Sequence, residues 1–169
     1  MVSNGALQLT KTDYAHIGYG MVGYSHIERA ILVLCITLTE HETKTQCESS
    51  FSDSRFQSLL KAGLKDRFKK LLKLYKRNLG DDRECAHLSD VYPILVRSRD
   101  CFVHGLWVRI SDERLIASYP SRAAIRDGRL QDKLEFTNQE LEGHLDLIAG
   151  TLIKLEALHR DVERRLKAA

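Results

Sequence analysis

The sequence predicts a mainly α-helical protein, a bundle of four to five helices with a small β-hairpin or three-stranded insert between the third and the last long helices. Three observations support this prediction. Apolar residues recur every three or four positions over most of the 169 residues, which is typical of helices with one buried face. Residues 106–136 instead show the short apolar segments and turn residues of strands. The length predicts that residues 1–169 form a single domain, and only two prolines and ten glycines argue against long disordered regions.

The first helix is predicted over about residues 14–40, where aliphatic side chains follow helical spacing. Three glycines near its start would either weaken the helix or allow a neighbouring helix to approach closely. These are Gly18, Gly20 and Gly23. The polar residues 41–50 are predicted to form a loop. A single second helix is then expected from possible N-caps at residues 52–54 to about Asn78, with Gly80 as its stop.

A third helix is predicted to begin at Asp81 or Asp82 and to end before Gly105. Pro93 is expected either to kink this helix or to lie near its first turn, because proline cannot donate the backbone hydrogen bond of a helix interior.

The insert, residues 106–136, follows Gly105. Two β-prone segments, residues 107–110 and 115–119, flank a polar stretch and predict a hairpin. The dipeptide Asp127-Gly128 predicts another turn, and a third short strand is expected at residues 133–136. The last helix is the most clearly indicated element. Thr137 and Glu140 form a T-x-x-E capping box just before a long run of leucines at helical spacing.

The charge of the chain is concentrated in one segment. The net charge is only +3, which by itself is too small to imply a nucleic-acid partner. Residues 55–78, however, hold nine basic residues against the single acidic Asp66. Four lysines at four- and three-residue spacing share one helix face that could bind RNA phosphates, although a solvated face is the common alternative. They are Lys65, Lys69, Lys73 and Lys76.

The four cysteines predict free thiols rather than a metal site or disulfides. No C-x-x-C pair is present, and Cys85, His87, Cys101 and His104 only loosely resemble zinc-ligand spacing. Cys85 and His87 lie two apart, so on a helix they point to different sides. We expect no metal and no cofactor. With no signal-peptide pattern and no uninterrupted apolar run of roughly 20 residues, a cytoplasmic protein without a membrane partner is expected.

The stretch RSRDCFVHGLW, residues 97–107, places charged side chains at the end of an apolar helix. Buried charge is costly unless it is paired or used for function. Arg99 and His104 form an R-x4-H pattern that ends at Gly105. Histidine can move a proton near neutral pH, and arginine can hold a phosphate and stabilise charge on it. These residue types can therefore combine proton transfer with charge stabilisation at a phosphate.

In this arrangement the chain resembles the HEPN superfamily. The resemblance covers the order of elements over most of residues 14–167 and the motif Arg99-Asp100-Cys101-Phe102-Val103-His104. It implies a helical bundle and a metal-independent endoribonuclease, a toxin or defence effector that acts on RNA as a dimer. Arg99 and His104 would be catalytic, and Asp100, often asparagine in the family, would orient either of them. Arg97, which gives an R-x6-H spacing, is retained as a phosphate-binding candidate.

The spacing of the motif suggests how the site is assembled. Five helical positions rotate by about 500°, which leaves Arg99 and His104 about 140° apart on a regular helix. Either the helix ends or loosens before His104, or each chain of a homodimer supplies part of a composite site. We expect the homodimer. An antitoxin is a possible further partner. Two alternatives to an enzyme remain: a non-catalytic HEPN-like binding module, and a purely structural network of the three side chains.

Overall fold

The computed structural model describes residues 7–45, 53–80, 82–120, 122–129 and 131–168. Its described residues are mainly helical, with six helices and one small three-stranded antiparallel sheet. The helices are α1 Lys11–Thr45, α2 Asp53–Lys61, α3 Leu64–Leu79, α4 Arg83–His104, α5 Arg122–Arg126 and α6 Asn138–Ala168. The strands are β1 Leu106–Ser111, β2 Arg114–Tyr119 and β3 Asp132–Thr137. The predicted mainly helical class with a three-stranded insert before the last helix is thus confirmed.

Both turns predicted in the insert are present. β1 pairs with β2 and β2 with β3, both antiparallel, in the order β1-β2-β3. The hairpin turn falls at Asp112 and Glu113. At the second turn Gly128 has φ 72°, in the left-handed region that favours glycine. The short helix α5 between β2 and β3 was not predicted.

The chain divides into two compact units. The sheet unit lies within residues 1–24 and 95–150, and the helical unit within residues 25–94 and 151–169. Helices α1, α4 and α6 each contribute residues to both units.

The core of the sheet unit is built around the Phe102 ring. Its centroid lies 5.2 Å from that of Trp107 and 6.2 Å from that of Phe136. A Cβ atom added to Gly20 would lie 2.2 Å from the Phe102 ring, and one added to Gly23 would lie 2.4 Å from Ile148. The expected close approach is therefore confirmed at these two glycines.

A buried ion pair ties the start of α1 to the sheet. Thr10 and Asp13 form a capping box, in which the Thr10 N–H donates to Asp13 Oδ2 at 2.7 Å and the Asp13 N–H to Thr10 Oγ1 at 3.1 Å. Arg109 of β1 donates through Nε to the same carboxylate oxygen at 2.8 Å and through Nη2 to Asn138 Oδ1 at 3.1 Å. The Arg109 hydrogen bonds lower the pKa of Asp13 to about 2.

The helical unit corrects two sequence predictions. The expected single helix over residues 52–78 is broken between α2 and α3 at residues 62–63. The Arg67 side chain donates to the carbonyl oxygens of Leu59 and Leu60, at 3.0 and 2.7 Å, which would otherwise lack partners at the end of α2. The loop expected at residues 41–50 is also wrong in part, because α1 continues to Thr45. Residues 46–52 lie outside the described residues.

The end of α3 agrees with prediction. Gly80 has φ 93°, and its N–H donates to the Lys76 carbonyl oxygen at 3.1 Å. Arg165 of α6 donates to the Leu79 carbonyl oxygen at 2.7 Å and to Asp82 Oδ2 at 2.9 Å. Pro93 lies inside α4 rather than in its first turn.

By length and apolar composition, α1 qualifies as a candidate membrane-spanning helix over Lys11–Glu42. Core helices of soluble proteins share this length and composition, and 39% of the most apolar window is buried.

Candidate active site

The end of α4 is fixed by Gly105. Its N–H donates to the Cys101 carbonyl oxygen at 2.9 Å, and β1 begins at the next residue. A Cβ atom at position 105 would lie 2.1 Å from that oxygen and 3.3 Å from the Ala117 Cβ atom. No side chain fits there, so glycine is required for α4 to end directly before the sheet.

Three predicted site residues meet at this helix end. Arg99 Nη1 lies 2.8 Å from Asp100 Oδ1 and 3.2 Å from His104 Nε2. The side chains of Arg99 and Asp100 are 24% and 46% exposed, and His104 is exposed. The three polar groups thus form one solvent-accessible cluster, which we call the motif cluster.

The motif cluster corrects the geometric argument for a composite site. The backbone remains helical through His104, yet Arg99 and His104 meet within one chain. The angle of about 140° describes where the Cβ atoms lie. The arginine side chain is long enough to span that separation at the surface of the helix. A second chain is therefore not needed to bring these two residues together.

The contact also constrains the histidine. A guanidinium group has donors only, so in this hydrogen bond Nε2 of His104 must be the acceptor. The Nε2 lone pair is occupied in this contact, and it becomes available for proton transfer when the Arg99 side chain turns away from it.

Buried neighbours hold the cluster in position. Cys101 and Phe102, which lie between Asp100 and His104 in sequence, are at most 1% exposed, and Ser98, just before Arg99, is 4% exposed. Burial raises the pKa of the Cys101 thiol to about 12, so Cys101 is a core residue rather than a nucleophile. The same cause raises the pKa of Cys35 to about 12. The described part of the chain contains no group of three metal-binding side chains, and the side chain of Cys85 lies outside it.

Arg97 and Tyr119 belong to the same corner of the sheet unit. Arg97 is exposed on α4, and Tyr119, the last residue of β2, is only 6% exposed. Burial raises the pKa of the Tyr119 hydroxyl, the nearby Asp132 adds to this, and the Arg97 charge opposes it. Arg97 is thus near enough to act electrostatically on this corner.

The four predicted RNA-binding lysines form an exposed row on α3, which we call the lysine face. Lys65, Lys69, Lys73 and Lys76 are all exposed. The buried side of the same helix consists of Leu64, Phe68, Leu71, Leu74 and Tyr75. The lysine face belongs to the helical unit, whereas the motif cluster belongs to the sheet unit.

Sequence reasoning missed the role of His144. Its ring stacks on Phe102 at a centroid distance of 5.3 Å, and its Nε2 lies 2.8 Å from the Tyr24 hydroxyl. Burial lowers the pKa of His144 to about 4, so the ring is neutral in the core. The signal was present, because His144 lies three residues after Leu141 and four before Ile148, both fully buried.

Comparisons of this chain with protein-family models, with curated proteins and with solved structures give no match. Its functional interpretation therefore depends on the motif cluster and on its surroundings.

Proposed function

We propose that the protein is a metal-independent endoribonuclease of HEPN type, with a helical bundle of the kind that family has. The observation that supports this most is the 3.2 Å contact between Arg99 Nη1 and His104 Nε2 at an exposed helix end. A general base and a phosphate-binding cation are then adjacent and open to solvent, as phosphodiester cleavage requires.

The chemistry uses the 2′-hydroxyl of the RNA as nucleophile. His104 accepts the 2′ proton while the O2′–P bond forms and the P–O5′ bond breaks. The departing 5′ oxygen takes its proton from that imidazolium or from water. Arg99 moves from Asp100 to the phosphate and stabilises the charge that builds up on its oxygens. The products are a 2′,3′-cyclic phosphate and a 5′-hydroxyl.

RNA binding would involve further cations. Arg97, exposed beside the motif cluster, is suited to a phosphate next to the cleaved one. The lysine face would add affinity without taking part in cleavage, since lysine ammonium groups attract phosphates without reading sequence.

One observation favours a second candidate, a non-catalytic HEPN-like binding module. Arg99 already forms an ion pair with Asp100 at 2.8 Å, and the carboxylate places a negative charge where an RNA phosphate would bind. A chain that keeps this pair would bind a partner without cutting RNA.

We further propose a cellular role as a toxin or defence effector in the cytoplasm, restrained by an antitoxin. An enzyme that cuts cellular RNA would harm the cell that makes it, and an antitoxin would inhibit it until cleavage is needed. Poor growth on expression, relieved by His104→Ala, is its expected sign.

The deciding experiment is incubation of the purified protein with total RNA in EDTA. Cleavage by the parent chain and none by His104→Ala supports the nuclease. RNA left intact by the folded parent chain at all concentrations would rule the nuclease out and favour the binding module.

A further inference from the structure

One nitrogen of Arg99 connects the other two polar groups of the motif cluster. Arg99 Nη1 lies 2.8 Å from Asp100 Oδ1 and 3.2 Å from His104 Nε2. This nitrogen carries two hydrogens, and the two contacts use both of them. Within the part of the chain that the structure describes, no other group hydrogen-bonds to the side chain of Asp100 or His104. Arg99 is therefore the link between the carboxylate and the imidazole.

These two contacts keep the empty site inactive. The Nε2 lone pair of His104 accepts a hydrogen from Arg99, so it is not available to accept a proton from a 2′-hydroxyl. The Nη1 hydrogens that a phosphate oxygen would need are occupied as well. Because His104 is exposed and Asp100 is 46% exposed, the site is closed by hydrogen bonds and not by a covering segment.

The contacts are weak enough for a phosphate group to replace them. The side chains of Arg99 and Asp100 are 24% and 46% exposed, and ion pairs at such a surface contribute little because water solvates both charges. A phosphate group offers the guanidinium two parallel charge-assisted hydrogen bonds. One bond to a carboxylate oxygen and one to a neutral imidazole are weaker than this pair, so the phosphate displaces them.

The proton on His104 determines when the contact can form again. A protonated imidazole has no lone pair, so Arg99 cannot donate to it, and the two positive charges repel each other. After His104 has accepted the 2′ proton, the contact with Arg99 can return only when the histidine has passed that proton on. The closed arrangement therefore belongs to a site that holds neither a phosphate nor a transferred proton.

We propose that the motif cluster is a substrate-operated switch, in which Arg99 occupies the Nε2 lone pair of His104 until a phosphate group binds. Asp100 is a positioning residue in this switch. It holds Arg99 beside the imidazole in the empty site and receives it back after cleavage. The inference rests on the proposed nuclease function, because it states how that same site is regulated. It gives Asp100 an effect on His104 that acts through Arg99.

Nitrogen NMR of protein with isotopically labelled histidine reports on the Nε2 lone pair. In alkaline buffer, where imidazole rings are neutral, the parent chain should show His104 Nε2 as a hydrogen-bond acceptor. Arg99→Ala should shift this signal to the position of an imidazole nitrogen bonded only to water, and Asp100→Asn should shift it part of the way. The double variant should match Arg99→Ala, because Asp100 acts through Arg99.

Inorganic phosphate tests the switch in the parent chain, without any substitution. Phosphate should move the His104 signal toward its position in Arg99→Ala, whereas sodium chloride at the same ionic strength should not. Lys133→Ala removes an exposed cation of the sheet unit outside the motif cluster. This matched control should leave the signal and its response to phosphate unchanged. The ring of His26, exposed on α1, should give the same signal in all of these variants.

The switch is overturned if the His104 signal is the same in the parent chain and in Arg99→Ala, or if phosphate does not move it in the parent chain. A double variant that differs from Arg99→Ala would overturn the role of Asp100. RNA cleavage is measured separately. Cleavage without a response to phosphate would retain the nuclease and remove the switch. A response to phosphate in a chain that leaves RNA intact would remove the nuclease and retain the phosphate-operated contact.

Discussion

Asp13 and Arg109, 96 positions apart in the chain, form a buried ion pair that joins the first turn of α1 to β1. The two residues are 2% and 6% exposed. Asp13 also caps its own helix through Thr10. One carboxylate thus serves both the local start of a helix and its attachment to the sheet.

Removal of this carboxylate should destabilise the protein strongly. Asp13→Ala leaves the Arg109 charge buried without its partner, at a cost of roughly 3–5 kcal/mol. Urea unfolding at neutral pH measures the loss. Asp146→Ala, which removes an exposed carboxylate on α6, should change the free energy of unfolding by less than about 0.5 kcal/mol. Equal effects of the two substitutions would contradict the role given to Asp13.

The same ion pair should make stability depend on pH in the acid range. The pKa of Asp13 is lowered from 3.8 to about 2 in the folded state, so the unfolded chain binds the proton more readily. The resulting stabilisation, about 2 kcal/mol, is fully present above about pH 4 and is lost as the pH falls toward 2. Urea unfolding measured from pH 5 to pH 2 gives the free energy of unfolding at each pH. This free energy should fall less steeply with decreasing pH for Asp13→Asn than for the parent chain.

The mechanism predicts the products and the sensitivity of cleavage to substitution. A substrate with 2′-deoxyribose at the scissile position should resist cleavage, because its nucleophile is missing. His104→Ala and Arg99→Ala should each lower the rate by roughly 10²–10⁴-fold. Arg99→Lys should recover only part of the cleavage rate lost in Arg99→Ala, because a single ammonium group cannot form the two parallel hydrogen bonds of a guanidinium group. Mass spectrometry of the fragments should show a 2′,3′-cyclic phosphate, and a 3′-hydroxyl end would disprove 2′-hydroxyl attack.

Asp100 is expected to restrain Arg99. Asp100→Asn removes the ion pair at 2.8 Å while it keeps the shape of the side chain. RNA binding and cleavage should both rise severalfold, because Arg99 no longer has to leave a carboxylate for the phosphate. Fluorescence anisotropy with labelled RNA measures the binding step. A decrease in both quantities would show that Asp100 orients the site instead of restraining it.

The lysine face should determine how RNA affinity responds to salt. Replacement of Lys65, Lys69, Lys73 and Lys76 by glutamine should reduce the slope of log affinity against log salt concentration by up to about 3 for a single-stranded RNA. The single-turnover rate at saturating protein should stay unchanged. An unaltered salt dependence of RNA affinity would mean that the lysine face is exposed to solvent and does not bind RNA.

Two glycines on the same turn of α1 provide a matched pair for packing. Gly20→Ala would place a Cβ atom 2.2 Å from the Phe102 ring, whereas nothing lies within 4 Å of one at Gly18. Gly20→Ala should lower the free energy of unfolding of the protein by about 1–3 kcal/mol, because the added methyl group overpacks the core. Gly18→Ala should stabilise by up to about 1 kcal/mol, since alanine favours the helix. Thermal unfolding of both variants checks the sign of each effect.

The elements that sequence predicted well are those fixed by neighbours in the chain. The capping box of α6 is local, and the Thr137 N–H donates to Glu140 Oε2 at 2.8 Å as expected. The break between α2 and α3 was missed because the residue that stabilises it, Arg67, lies in the next helix and gives no local signal. The contact between Arg99 and His104 was missed because positions on a helical wheel ignore the reach of a long side chain.

The position of Gly105 also bears on how the sequence can change over evolution. Because α4 ends there without a linker, each residue gained or lost between Phe102 and His104 would turn His104 by about 100° about the helix axis. A deletion would leave the positions of Arg99 and His104 about 40° apart and an insertion about 120° apart, so the long arginine side chain would still span the separation. The cost of such a change lies instead in the buried side chains of this segment, which would turn away from the core. The hairpin tip at Asp112 and Glu113 is free of that cost, and length variation among descendants of this chain should accumulate there.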